Sequence, residues 1–176
     1  MLHVRAALLA DAPVIAAFQQ AMAWETEKLR LDEATLASGV WSVLADPAKG
    51  QYFVAEDLGD APDVPAPAAL SASQPAPLPG AVVGSLMITR EYSDWRDGWF
   101  WWIQSVYVVE AWRRRGVFRS LYRFVQQLAS QSPGVCGLRL YVDHDNHKAH
   151  RTYELVGMQR ARYTMFESRT VPSGTE

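Results

Sequence analysis

The stretch from Val106 to Phe118 constrains this chain more than any other. An apolar strand, Val106-Tyr107-Val108-Val109, runs through Glu110-Ala111-Trp112 into Arg113-Arg114-Arg115-Gly116 and then an amphipathic helix. A helix start leaves backbone N–H groups without intrahelical partners and carries the positive end of the helix dipole, so it stabilises an anion before any side chain acts. The arginines add charge, and Gly116 lets the backbone approach a ligand closely. Strand, cationic glycine turn and helix in that order predict a phosphate-binding junction. A solvated basic helix start is the plain alternative.

The helix after the arginines carries Val117, Leu121, Phe124, Val125 and Leu128 on one stripe, the spacing expected for packing on a sheet. Leu2 to Ala7 reads as a first strand. Asp11 and Pro13 mark a helix start, aspartate as a cap and proline in the first turn, with Ile15, Phe18 and Met22 at helical spacing. A second helix is expected from about Asp32 to Leu44, ended by Asp46-Pro47 and Gly50. Gln51 to Glu56, Val82 to Thr89 and Trp99 to Val109 have strand composition, and Glu91 to Gly98 supplies the turn between the last two. A turn at Pro133-Gly134, a strand from Leu138 to Val142, a helix from His147 to Val156 stopped by Gly157, and a last strand from Arg162 to Glu167 complete the reading. The order is βααβ-β-βαβαβ, a mixed α/β fold without internal repeats.

Residues 58–80 hold six of the ten prolines and six alanines, with little that can pack. That composition predicts a loop insertion rather than a linker between domains. At 176 residues and 49% hydrophobic content the chain suits one domain with a proper core, taken as residues 1–170 with a tail at 171–176. A net charge of −2 argues against a nucleic-acid binder using the arginines as a basic stripe. The single cysteine, Cys136, cannot form an internal disulfide and reads as a small packed residue. No secretory pattern opens the sequence, and no apolar run reaches the roughly 18 residues that cross a bilayer, so a cytoplasmic protein with no membrane partner is expected.

Arg113 and Gly116 occupy the first two fixed places of the (Gln/Arg)-x-x-Gly-x-(Gly/Ala) signature, with Phe118 in place of the small third residue. Further on, Asn146, Ala149, Tyr153, Gly157 and Met158 match Asn-x-x-Ala-x-x-x-Tyr-x-x-x-Gly-(Phe/aliphatic). With both signatures in this order, the chain resembles the GNAT superfamily of acyl-CoA-dependent N-acetyltransferases, from about Val82 to Phe166.

The resemblance implies acetyl-CoA as co-substrate and an amine of a small molecule or peptide as acceptor, with a homodimer as a common assembly. It implies that the pantetheine arm lies along the strand, with Val106 and Val108 offering backbone hydrogen bonds. The pyrophosphate is expected on the backbone of Arg114, Arg115, Gly116, Val117 and Phe118, with charge from Arg113 and Arg115, a hydroxyl contact from Ser120, and Asn146 as a helix cap or cofactor contact. Tyr153 is the implied general acid, donating its proton to the departing thiolate. An alkyl ammonium must lose a proton before it attacks, which asks for a base. Glu25, Glu27, Glu91 and Glu110 are the candidates, Glu25 and Glu27 ranking first.

Trp24, Tyr92, Trp95, Trp99 and Trp101 form either an acceptor pocket or ordinary packing. The histidines His144, His147 and His150 fall at three-residue intervals, which fans them round a helix and disfavours a metal site. The reading of a different class is a catalytically idle acyl-CoA-binding module.

Overall fold

The computed structural model describes residues 1–59 and 80–168. Most of the proline- and alanine-rich insertion expected at 58–80, and the tail expected at 171–176, lie outside the described residues. The chain divides into two compact units, Met1–Tyr141 and Val142–Glu176.

The first unit contains strands β1 (Leu2–Ala6), β2 (Gln51–Asp57), β3 (Val82–Ser93), β4 (Gly98–Val108) and β5 (Val135–Leu140), and helices α1 (Ala12–Glu27), α2 (Glu33–Ala45) and α3 (Val117–Gln131). The strands form one sheet in the order β1-β2-β3-β4-β5. The first four are antiparallel and β5 joins β4 in parallel, after the crossover through α3.

Side-chain alternation decides which helix covers which face. Tyr52 and Val54 turn towards α1 and α2, where they are buried with Ile15 and Val40 and flanked by Met87. Phe53, between them, turns the other way and meets Phe124 of α3 at a ring-centroid distance of 5.6 Å. The α3 stripe is as expected, with Val117, Leu121 and Val125 buried, and Tyr122 and Ala129 joining it.

Helix α2 starts as expected: the Asp32 carboxylate accepts the Thr35 N–H at 2.8 Å. Asp11 does not cap α1. Its carboxylate instead accepts the Leu8 N–H at 2.7 Å and two hydrogen bonds from Arg5, because a 3-10 turn at Leu9–Asp11 precedes the helix. Cys136 is exposed at the start of β5 rather than packed.

In the second unit, α4 (His147–Leu155) is capped by Asn146, whose side chain accepts the Ala149 N–H at 3.1 Å. The strand expected from Arg162 to Glu167 is not formed. Residues 159–168 hold no helix or strand, and Tyr163 and Phe166 are exposed. No other described strand lies in this unit, and an extended segment needs a neighbour to satisfy its backbone.

Candidate active site

Strand β4 is paired on both sides over only part of its length. Its β5 partners run from Trp99↔Val135 to Ile103↔Leu140 and stop there, while β3 continues to Gly84↔Val108. From Gln104 to Val108 the strand therefore borders β3 alone in the sheet. Between Met87↔Gln104 and Ser85↔Tyr107, β4 advances three residues against two in β3. Ser105 sits in this bulge with φ 30°, and a bulge bends and twists the strand that carries it. The Val109 N–H bonds back to Val83 of β3 at 3.0 Å, so backbone alternation turns the polar groups of Val108 to the opposite side, where β5 has ended.

A 3-10 turn at Glu110–Trp112 then leads to Arg113 and the start of α3. Arg114 has φ 64° and Gly116 φ 85°, two left-handed residues that fold the chain back onto its helix axis. Gly116 is the N-cap of α3, with no side-chain cap and no acidic residue in the first turn. The space beside it is open: a Cβ added there would meet nothing within 4 Å. Val117 points into the core, so it offers its backbone and not its side chain. The Phe118 ring lies along the helix, 6.0 Å from that of Tyr122. Arg115 stacks its guanidinium 5.2 Å from the centre of the Trp112 ring, Arg114 is exposed, and Ser120 bonds its N–H to the Gly116 carbonyl within the first helical turn. Uncapped N–H groups with cationic neighbours suit a diphosphate.

Arg113 faces elsewhere. Its Nη2 lies 2.6 Å from Glu25 Oε2, and its Nε donates to the Val108 carbonyl at 3.0 Å. Tyr107 donates its hydroxyl to Glu25 Oε1 at 3.1 Å, and its ring lies 5.6 Å from the Arg113 guanidinium. Burial pushes the Tyr107 phenol above its usual range, with the Glu25 charge adding to the effect and Arg113 opposing it. The structure thus brings Glu25 to the end of β4. Glu27 and Glu110 are exposed and stand outside this cluster, and Glu91 is engaged by Arg139 and by the Trp102 indole. Sequence reasoning missed Tyr107. The available signal was Phe18, seven residues before Glu25 and so on nearly the same helix face, which packs on the Tyr107 ring at 5.1 Å.

In the second unit, Asn146 and Ala149 form the cap of α4, with Tyr153 one turn further along. Burial pushes the Tyr153 phenol above its usual range. Among the described residues, no group of three or more His, Cys, Asp or Glu side chains is arranged to hold a metal, and no helix is long and apolar enough to cross a membrane.

The five aromatic residues do not gather into one pocket. Trp101 is in the core, Tyr92 and Trp99 pair edge to face at the β3–β4 hairpin, and Trp95 is 88% exposed in its turn. Trp24 alone lines an open groove, of 510 Å³, beside Gln20, Arg30 and Glu33.

The chain as a whole is similar to known proteins. The model of the acetyltransferase (GNAT) family matches residues 16–158. A crystal structure described as a possible acetyltransferase from Clostridium difficile 630 is 34% identical, with 98% of this chain and 99% of that one covered at a TM-score of 0.80. A ribosomal-protein-alanine N-acetyltransferase from Brucella melitensis biovar Abortus 2308 is similar in fold, at 14% identity, 97% and 100% coverage and a TM-score of 0.69. So is AAC(6')-Iy, solved with the bisubstrate analogue CoA-S-monomethyl-acetylneamine, at 12% identity, 97% and 99% coverage and a TM-score of 0.69. No curated protein matches the chain. The family match across most of the chain, with the open stretch of β4 and the glycine-led start of α3, makes this protein a member of the GNAT acetyltransferase family.

Proposed function

We propose that the protein transfers an acetyl group from acetyl-CoA to the primary amine of a small molecule or peptide, by direct attack while both substrates are bound. One observation carries this reading: the stretch of β4 that β5 leaves open leads, through one 3-10 turn, to the uncapped, cationic start of α3. An extended pantetheine arm needs a strand edge, and a diphosphate needs clustered N–H donors, in that order along the chain. The backbone of Val106 and Val108 takes the arm. The N–H groups from Arg114 to Phe118 take the pyrophosphate, with Ser120 at its side.

The amine nitrogen attacks the thioester carbonyl, forming the C–N bond. Collapse of the tetrahedral intermediate then breaks the C–S bond, and the amine's proton is given up to a base. Tyr153 is the proposed donor to the leaving sulfur. Its place in the Asn146-x-x-Ala149-x-x-x-Tyr153 motif supports that role. Among the carboxylates, Glu25 is favoured as the base, since it alone of Glu25, Glu27 and Glu110 joins the group at the end of β4.

Release of free thiol from acetyl-CoA across an amine panel tests the reading. Removing a general acid costs about 10²- to 10⁴-fold in rate, so Tyr153→Phe should lose kcat on that scale while still binding coenzyme A. A parent protein that binds coenzyme A and acetylates no amine is a cofactor-binding module instead.

A further inference from the structure

Arg113 belongs to the phosphate motif, yet its guanidinium is spent on three groups at the end of β4: the Glu25 carboxylate, the face of Tyr107 and the carbonyl of Val108. A carboxylate beside an aromatic face is what recognises an organic cation. Here a side chain of the same protein is that cation. We propose that Glu25 and Tyr107 form the subsite for the acceptor's ammonium group, that Arg113 fills it in the free enzyme, and that coenzyme A vacates it by drawing Arg113 onto its pyrophosphate.

The inference rests on the acetyl-CoA reading above. It also explains an otherwise awkward pairing, since a carboxylate held at 2.6 Å by a guanidinium cannot serve an incoming ammonium until that guanidinium leaves. The pair is an apt latch because it is weak. Both side chains remain about two-fifths exposed, at 40% and 41%, so the contact is screened by solvent, whereas a diphosphate seated at Gly116, three residues after Arg113, offers more negative charge. The same movement uncovers the Val108 carbonyl on the open side of β4. The two substrates' sites are then coupled through one side chain: the cofactor opens the amine's position, and the amine, once bound, keeps Arg113 away from it.

Calorimetric titration with coenzyme A tests the latch by the sign of one change. In Glu25→Gln the free enzyme no longer holds Arg113 back, so coenzyme A should bind about two- to fivefold more tightly, the range expected for losing an exposed ion pair. Glu25→Asp should stay near the parent. If Glu25 instead positions Arg113 for the phosphates, the Gln variant binds more weakly. An equal or weaker affinity overturns the proposal. Ligand-detected NMR with n-butylamine supplies the second arm: the parent should bind it only when coenzyme A is present, and Arg113→Gln should bind it without. Equal binding to the free and loaded parent, or to neither form, also overturns it. Circular dichroism verifies that each variant is folded. A parent that fails to bind coenzyme A at all removes the proposed function itself, an outcome distinct from any of these.

Discussion

Gly84 of β3 and Val117 of α3 touch so closely that no side chain fits between them. A Cβ added at Gly84 would lie 2.9 Å from Val117 Cγ1 and 3.0 Å from the Tyr107 carbonyl. One glycine therefore sets the height at which α3 begins above the sheet, and with it the position of the N–H groups around Gly116. Gly84→Ala must push the helix start or β4 aside. Overpacking of this kind costs about 1–3 kcal/mol. We expect a lower melting temperature together with weaker coenzyme A binding, read by thermal denaturation and calorimetry on one preparation. Loss of stability with unchanged affinity would separate the helix height from the site.

Gly116 offers the opposite case, since it has open space but an unfavourable backbone. At φ 85°, with nothing within 4 Å of an added Cβ, Gly116→Ala meets no clash and pays only for the left-handed conformation, about 1–2 kcal/mol. If the turn relaxes to relieve that strain, its N–H groups swing away from a bound diphosphate. Coenzyme A affinity should drop by more than tenfold, with a melting temperature lower by only about 2–8 °C. Gly116→Asn, which tolerates this region better, should retain more of the affinity.

The contrast between local and distant contacts explains how much of the fold was legible in the sequence. The caps at Asp32 and Asn146 each reach an N–H three residues on, a pattern written in four consecutive letters. The α3 stripe and the strand into Gly116 were legible for the same reason. Arg113 and Glu25 lie 88 residues apart, and β4 carries a bulge at Ser105 between them in the chain, neither of which any periodicity announces. Asp11 looked like a cap by the same local rule, but the nearby Arg5 competed for it and won. The segment from Arg162 to Glu167 has strand composition, but composition does not supply the neighbouring strand that a strand needs.

Arg5 ties Asp11 and Glu56 together, with contacts of 2.7 Å to Asp11 and 2.6 Å to Glu56, and these hydrogen bonds hold both carboxyls below their usual range while burial opposes them. Both carboxyls are less acidic in the unfolded chain, which therefore binds more protons between the two sets of pKa values. Stability is fully present above the unfolded values, near pH 4, and is lost as pH falls through the lowered folded ones. Urea unfolding from pH 7 down to pH 2 should show that decline. Arg5→Met should be less stable at pH 7 by about 2–3 kcal/mol, the worth of hydrogen bonds to charged groups, with a flatter decline on acidification. Parallel curves for parent and variant would show that the network does not set the acid limit.

Phe118 stands where the family signature has a small residue, and its ring runs along α3 beside Tyr122. A ring packed beside Tyr122 contributes to the packing of α3. Phe118→Ala should then cost stability, on the order of 1–3 kcal/mol for a partly buried aromatic side chain, and leave coenzyme A affinity within about threefold of the parent. Restoring the small residue would improve binding by tenfold or more only if the ring were obstructing the diphosphate. Denaturation midpoints and coenzyme A dissociation constants for the same variant distinguish the two roles, because packing moves the first and obstruction the second.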